Sequence, residues 1–172
     1  MRRPSKIEYY LGIAKAVSMR STCIRRRFGA IIVKDDAIVS TGYNGPARGV
    51  VNCQEVGCLK DLVGAEEYGQ YDLCPAVHAE ENAIINAART GSSVKDGVMF
   101  IYGEYSQTGE ISVAIPCDRC KRAIINSGIK EVYTMGPGKE IVRYNVMDWV
   151  KYDSENYINK IKSAKKGQKN KI

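Results

Sequence analysis

A three-layer α/β fold built on a mixed sheet of about five strands is the expectation for this 172-residue chain, and three observations carry it. The length suits one compact domain that buries roughly two thirds of its unfolded surface. Two β-rich runs, residues 28–34 and 37–43, are separated only by Asp35-Asp36, which reads as a tight antiparallel hairpin. Further on, a strand pattern at 98–102, a helical pattern at 117–126 and a second strand pattern at 131–135 read as a right-handed parallel crossover. Antiparallel and parallel neighbours together make the sheet mixed, with helices covering its two faces.

Taken in order, Ile7, Tyr10, Leu11, Ala14, Val17 and Ser18 recur at helical spacing, and Ser5 with Glu8 forms a capping box ahead of them, so a helix runs from Ser5 to about Arg20. The hairpin follows and ends at Asn44-Gly45-Pro46. Residues 47–73 show little periodicity and form a long excursion, of the kind that is usually functional or held in place by something. A helix from His78 to about Arg89 stops at Gly91, and residues 103–115 read as a hairpin with Thr108-Gly109 at its tip. The helix that opens at Cys117 stops at Gly128, and a last helix from Met147 to about Lys162 carries the sole tryptophan, Trp149. There is no internal repeat and no boundary, so residues 1–172 read as one domain whose lysine-rich end, 160–172, is a flexible tail.

The net charge of +7 would suit a nucleic-acid binder, but six lysines and no acid lie between Lys160 and Lys171, which leaves the body nearly neutral. Nucleic acid is therefore not the expected partner. The other basic cluster, Arg25-Arg26-Arg27, is suited either to phosphate groups or to acids across a subunit contact. No apolar run approaches the roughly 20 residues of a membrane span, and the amino terminus has no signal-peptide core, so a cytoplasmic protein with reduced cysteines is expected.

The chemistry concentrates in two proline-led segments. The only histidine, His78, stands two residues before Glu80 at the mouth of a helix, and Pro116-Cys117-Asp118-Arg119-Cys120 opens another. A catalytic zinc uses three protein ligands and keeps its fourth position for water, which His78, Cys117 and Cys120 satisfy. Two thiolates neutralise the ion, helix N-termini favour the thiolate form, and bound zinc brings its water to a pKa of about 7. Glu80 sits where it can move protons without ligating. Either motif alone has ordinary explanations, a buried histidine or a redox pair. Their joint occurrence with the glutamate at this offset is the signature of zinc nucleobase deaminases.

From about Arg20 to Met135 the sequence resembles the cytidine deaminase superfamily, and within it the deoxycytidylate (dCMP) deaminases. The matching stretches are RSTC with its basic triplet and FGAIIV, TGYNG, GVVNC, VHAEENAI, ARTGSSV and IPCDRCKRAIINSGIKEVY. The resemblance implies a three-layer α/β/α fold and hydrolysis of dCMP to dUMP and ammonia, feeding dTMP synthesis. In it Glu80 shuttles protons, backbone at Ala79 contacts the base and Asn44 binds the sugar. It also implies a homo-oligomer, a hexamer, with a dCTP/dTTP effector site at Gly42-Tyr43-Asn44-Gly45. Two departures bear on the substrate. A tyrosine expected after the strand that follows the second cysteine pair is replaced by Gly136-Pro137-Gly138-Lys139, with Tyr144 the nearest later one, and Glu104–Val113 is inserted.

Four cysteines remain: Cys23, Cys53, Cys58 and Cys74. The resemblance places Cys23 and Cys53 at a second, structural zinc, and four thiolates would close such a site and order the excursion. Four small buried side chains are the plainer reading. Two other functions stay open: a deaminase of another cytosine nucleoside, nucleotide or tRNA base, and a zinc-stabilised binding module without catalysis.

Overall fold

The structure is a computed structural model and describes residues 2–65 and 70–169. Its first helix, α1 (Lys6–Ser18), starts at the expected capping box: the Ser5 hydroxyl accepts the Glu8 N–H, and the Glu8 carboxylate accepts the Ser5 N–H. Strands β1 (Arg26–Lys34) and β2 (Ala37–Tyr43) follow, joined at Asp35 and Asp36. Both aspartates have positive φ (50° and 62°), the combination a type I′ hairpin turn demands. After β3 (Gly45–Pro46), the excursion holds two single-turn helices, α2 (Cys53–Val56) and α3 (Leu59–Leu62), and a 3-10 turn at Tyr71–Leu73. A short strand, β4 (Ala76–Val77), pairs with β3 and so returns the chain to the end of the hairpin just before His78.

The second half alternates helices and strands: α4 (Ala79–Thr90), β5 (Val98–Tyr105), α5 (Asp118–Ser127), β6 (Glu131–Met135), β7 (Ile141–Asn145) and α6 (Val146–Lys169). The main sheet has the order β2-β1-β5-β6-β7. Only β5 and β6 pair in parallel, through the crossover helix α5; the other neighbours are antiparallel.

Alternation along β1 separates the two cores. Ala30 and Ile32 join Met99, Ile101 and Val132 beneath α4, α5 and the start of α6. Ile31 and Val33 join Phe100 and Tyr102 beneath Tyr10, Leu11 and Ala14 of α1. Leu11, Ile31, Ile32, Ile124 and Val132 are fully buried, each contributing about 1.5–3 kcal/mol of transfer free energy. The layers are therefore α1, the mixed five-stranded sheet, and α4 with α5 and α6, the expected α/β/α arrangement.

Several boundaries differ from the sequence reading. Strand β7 was not foreseen; Gly136-Pro137-Gly138-Lys139 is the turn that makes it, with Lys139 at φ 64°, and only Val142 and Tyr144 of the strand turn inward. Strand β5 runs on to Tyr105, so the 103–115 hairpin has a sheet strand as its outgoing limb and a single bridge, Glu104 to Ile111, on its return. The last helix reaches Lys169 rather than Lys162, so most of the lysine-rich segment is helical; residues 170–172 lie outside the described residues. Among the described residues no helix is long and apolar enough to cross a membrane.

Gly42 fixes how closely α4 lies on β2. A Cβ there would stand 2.2 Å from the Ala83 nitrogen and 2.4 Å from the Ala79 oxygen, both backbone atoms that cannot yield without moving the helix. Gly42→Ala is expected to destabilise the fold by about 1–3 kcal/mol, the usual cost of overpacking, measured as a lower denaturant midpoint; an unchanged midpoint would show that the helix gives way freely.

Candidate functional site

The site is made by the starts of two helices. His78 is extended (φ −72°, ψ 157°) and is the N-cap of α4, so its ring stands at the helix mouth. Its own N–H donates to the Glu81 carboxylate at 3.3 Å, which closes a capping box. Cys117 is likewise the N-cap of α5 (φ −68°, ψ 165°), and Cys120 lies inside the first turn, fully buried. The two helices pack side by side on one face of the sheet, which brings His78 Nδ1 within 3.5 Å of Cys117 Sγ and 3.3 Å of Cys120 Sγ.

All three ligand atoms lie within 4.8 Å of one another, and among the described residues this is the group of metal-ligating side chains gathered that closely. A tetrahedral zinc with bonds of about 2.1 Å to nitrogen and 2.3 Å to sulfur separates its donors by roughly 3.5–3.8 Å. The donor chemistry and the spacing therefore both fit zinc. Electrostatics agree. The Cys117 thiol is held far below its ordinary pKa, first by a hydrogen bond from Cys120 and then by His78 and Tyr71. Cys120 is pushed up by the same contact, so the close approach of the two sulfurs favours thiolate at Cys117, a charge suited to a cation. His78 is shifted upward by its hydrogen bond to Cys117, against the opposing effect of burial.

Glu80 is buried beside this set without belonging to it. Burial is the largest influence on its carboxyl and raises the pKa, while neighbouring His78 works in the opposite direction. A carboxyl tuned upward next to a metal site is suited to accept a proton and give it back.

A cavity of about 230 Å³ is lined by His78, Glu80 and Cys117 and also by Cys23, Cys53, Cys58 and Cys74. Ala79, Asn44 and Gly45 line it as well, whereas Gly42 and Tyr43 lie outside the lining. The Asn44 side chain is already engaged: Oδ1 accepts the Phe28 N–H at 2.7 Å and Nδ2 donates to the Arg26 carbonyl at 3.0 Å. One N–H of that amide is left for a ligand. Tyr43 is partly exposed and its carbonyl accepts from Asn82 Nδ2 at 2.7 Å, which gives Asn82 a role the sequence did not suggest: it fastens β2 to α4. The four remaining cysteines converge; burial raises the pKa of the Cys53 thiol, and the nearby thiols of Cys23, Cys58 and Cys74 raise it further.

Several lining groups escaped sequence reasoning. Phe28 and Tyr71 supply the aromatic surface, and Val113, Ala114 and Ile115 bring the end of the 104–113 insertion into the wall. Tyr144 does not fill the place of the expected tyrosine, since its ring packs on Trp149 at 5.7 Å. The basic triplet is spent mostly within the chain: Arg27 pairs with buried Glu104 at 2.6 Å and Arg25 with Asp61 at 3.2 Å, while Arg25 and Arg26 both line the cavity. The phosphate reading of the triplet left a usable signal, because Arg25 and Arg26 do reach the pocket.

A histidine and two cysteines at the mouths of adjacent helices, with a buried glutamate two residues past the histidine, define the zinc-dependent deaminases that act on nucleobase rings. The chain belongs to the cytidine and deoxycytidylate deaminase family, whose zinc-binding region matches residues 4–136. It is 35% identical over 130 residues to a deoxycytidylate deaminase of Schizosaccharomyces pombe, a match that covers 76% of this chain and 37% of that protein. It is 36% identical over 137 residues to the deoxycytidylate deaminase of Mycobacterium phage D29, covering 77% of this chain and 95% of the phage protein. The chain thus spans well under half of the yeast relative and nearly all of the phage one. Among solved structures, the dCMP deaminase of cyanophage S-TIM5 in complex with dCMP and dUMP superposes with a TM-score of 0.57 at 28% identity, covering 78% of this chain and 83% of that one.

Because burial raises the Glu80 pKa above its unfolded value, the charged form opposes folding, and protonation relieves that opposition. In zinc-stripped protein Glu80→Gln is expected to be more stable than the parent at pH 7, with the difference shrinking as pH falls towards the unfolded carboxyl range of about 4.3. Denaturant titrations of both proteins across pH 4–8 check this; a constant difference would place the carboxylate in a solvated setting.

Proposed function

We propose that the protein deaminates dCMP hydrolytically to dUMP and ammonia, a reaction that supplies the precursor of dTMP. The observation that carries the reading is the gathered His78, Cys117 and Cys120 donor set, of which His78 and Cys117 line one cavity with buried Glu80. Its support on the substrate side is the likeness to relatives that are named deoxycytidylate deaminases.

His78, Cys117 and Cys120 would hold zinc, which supplies a water acidified to a pKa of about 7 when bound. Glu80 takes a proton from the attacking water and delivers it to N3 of the cytosine ring as C4 gains its new oxygen. The same carboxyl then takes the proton of the new C4 hydroxyl and passes it to the amino group; the C4–N bond breaks as the C4 carbonyl forms and ammonia leaves, so that one water is consumed for each ammonia released. The backbone of Ala79 and the free amide N–H of Asn44 line the cavity where base and sugar would lie. Arg25 and Arg26 give the same cavity positive charge for a phosphorylated substrate.

The reading extends to a second, structural zinc at Cys23, Cys53, Cys58 and Cys74, supported by their convergence on one wall of the cavity. It also includes a cytoplasmic homo-oligomer, a hexamer, regulated by dCTP and dTTP through Gly42–Gly45. Of those four residues Tyr43 presents an exposed side chain, Gly42 is packed under α4 and Asn44 belongs to the cavity.

Incubation with dCMP, CMP, deoxycytidine, cytidine and cytosine, with and without dCTP, tests the reading. Conversion of dCMP to dUMP is expected to dominate, and Glu80→Ala is expected to lose about 10²–10⁴-fold in kcat while retaining zinc. Conversion of another cytosine compound instead would reassign the substrate. If none of the five is converted by zinc-loaded protein, the enzyme reading fails. Elemental analysis is expected to return two zinc ions per chain; one ion would end the proposal for the cysteine cluster.

A further inference from the structure

Among the described residues of the excursion, Tyr71 lines the cavity and lies against the metal-ligating set, and it is held by a circuit no motif contains. Its ring lies against the His78 imidazole, with centroids 5.7 Å apart and planes at 60°. The Cys117 sulfur is the largest influence on the Tyr71 hydroxyl, whose pKa it helps push up to about 12. On the ring face sits the Arg119 guanidinium, 4.7 Å from the centroid. Arg119 is one of the two residues between Cys117 and Cys120, so its reach is set by the same first turn of α5 that presents the sulfurs. Its Nη2 donates to Glu81 Oε2 at 2.8 Å, and Glu81 in turn accepts the His78 N–H at 3.3 Å.

The circuit therefore closes: His78 backbone to Glu81, Glu81 to Arg119, Arg119 to the Tyr71 ring, and Tyr71 back to the His78 ring and the Cys117 sulfur. Three separate elements, the mouths of α4 and α5 and the 3-10 turn at Tyr71–Leu73, are fastened together around the three donor atoms. We infer that Tyr71 and Arg119 are positioning residues for the zinc ligands, with Tyr71 setting the orientation and electron density of the Cys117 thiolate and Arg119 holding Tyr71 in place. Groups that touch metal ligands in this way commonly alter metal affinity or activity by about 10–100-fold when removed. The Cys74 N–H donates to the Tyr71 carbonyl at 3.1 Å, so the turn that carries the tyrosine ends on one member of the cysteine cluster. Order in the excursion is thereby passed directly to the ligand set.

The inference rests on the zinc reading of His78, Cys117 and Cys120, and the test separates the two. Full-length protein, Tyr71→Phe and Arg119→Ala are loaded with zinc, and transfer of the metal to a chromophoric chelator is timed. A second set is loaded with cobalt(II), whose thiolate-to-metal charge-transfer bands report all bound sulfurs, so that the difference between variant and parent spectra reads the change at the Cys117 and Cys120 site whatever the catalytic rate. Tyr71→Phe keeps the ring on His78 and loses only the hydroxyl, so its expected signature is a shifted charge-transfer band with zinc release faster by about 10-fold or more. Arg119→Ala is expected to speed release as well, and Arg119→Lys to restore it only in part because lysine lacks the planar fork. An unmoved band and parent-like release in Tyr71→Phe would overturn the inference. Failure of the parent to bind either metal would instead overturn the zinc reading. Circular dichroism of each variant identifies any loss that is merely unfolding.

Discussion

Two helices that begin at the same point in space are the constraint on which the rest of this structure depends. The N-termini of α4 and α5 each carry unpaired amides and the positive end of a helix dipole, and bringing two such ends together is unfavourable unless negative charge lies between them. The side chains at the helix mouths supply it. His78 and Cys117 are themselves the N-caps, and Cys120 follows within one turn, so the donors that bind a cation are also the groups that the helix ends favour in their anionic or hydrogen-bond-accepting forms. Folding and ligand geometry become one problem. The sheet solves it by placing the helices as neighbours: α5 is the crossover between the parallel strands β5 and β6, and α4 lies on β2 and β1 against the same core. Small residues permit the approach, Gly42 beneath α4 and Ala79, Ala83 and Ala87 along its buried stripe.

What could be read from the sequence was what local chemistry decides. The Ser5 and Glu8 capping box, the Asp35-Asp36 turn, the stops at Gly91 and Gly128 and the helix mouths at His78 and Cys117 all depend on residues a few positions apart. The ligand set was legible for the same reason, since each motif is local and only their meeting is not. Strand β7 was missed because Ile141, Arg143 and Asn145 face outward and leave just Val142 and Tyr144 as an apolar signal, too little to stand out before the pairing with β6 is known. Tyr71 and Arg119 were invisible in a different way. Nothing in the run Tyr71-Asp72-Leu73 points to a thiol 46 positions later, and an arginine between two cysteines looks like solvent-facing filler until its partners are placed.

The insertion is tied to the scaffold by polar contacts as well as by the packing of Ile111 against the α1-side core. Glu104 is buried where β5 leaves the sheet and is satisfied by Arg27 at 2.6 Å and the Tyr102 hydroxyl at 3.2 Å. Ser106 then bonds back to the Cys23 carbonyl at 2.7 Å and to the Arg25 carbonyl through its N–H at 3.0 Å. The insertion is thus anchored at the basic triplet, whose Arg26 and Arg27 open strand β1 and pair with Tyr105 and Glu104 of β5. A buried, hydrogen-bonded ion pair adds little net stability against an apolar alternative, yet it admits very few geometries. Its effect here is to fix where Val113, Ala114 and Ile115 enter the cavity wall.

Glu80 decides between a metal site that only holds the fold and one that does chemistry. A structural zinc closes its coordination with four protein donors, and a carboxylate pressed into the protein beside it would oppose folding with no return. Here the tightly gathered set has three donors, and the fourth neighbour is an acid that is buried, stands next to Cys120 and shows a pKa raised chiefly by desolvation. Such a group persists where its proton affinity is useful, and a site with a spare metal position beside it is where that affinity has a task. Cys23, Cys53, Cys58 and Cys74 line the same cavity, but among the described residues it is the donors of His78, Cys117 and Cys120 that gather within 4.8 Å of one another, so it is beside that set that a buried acid has its task.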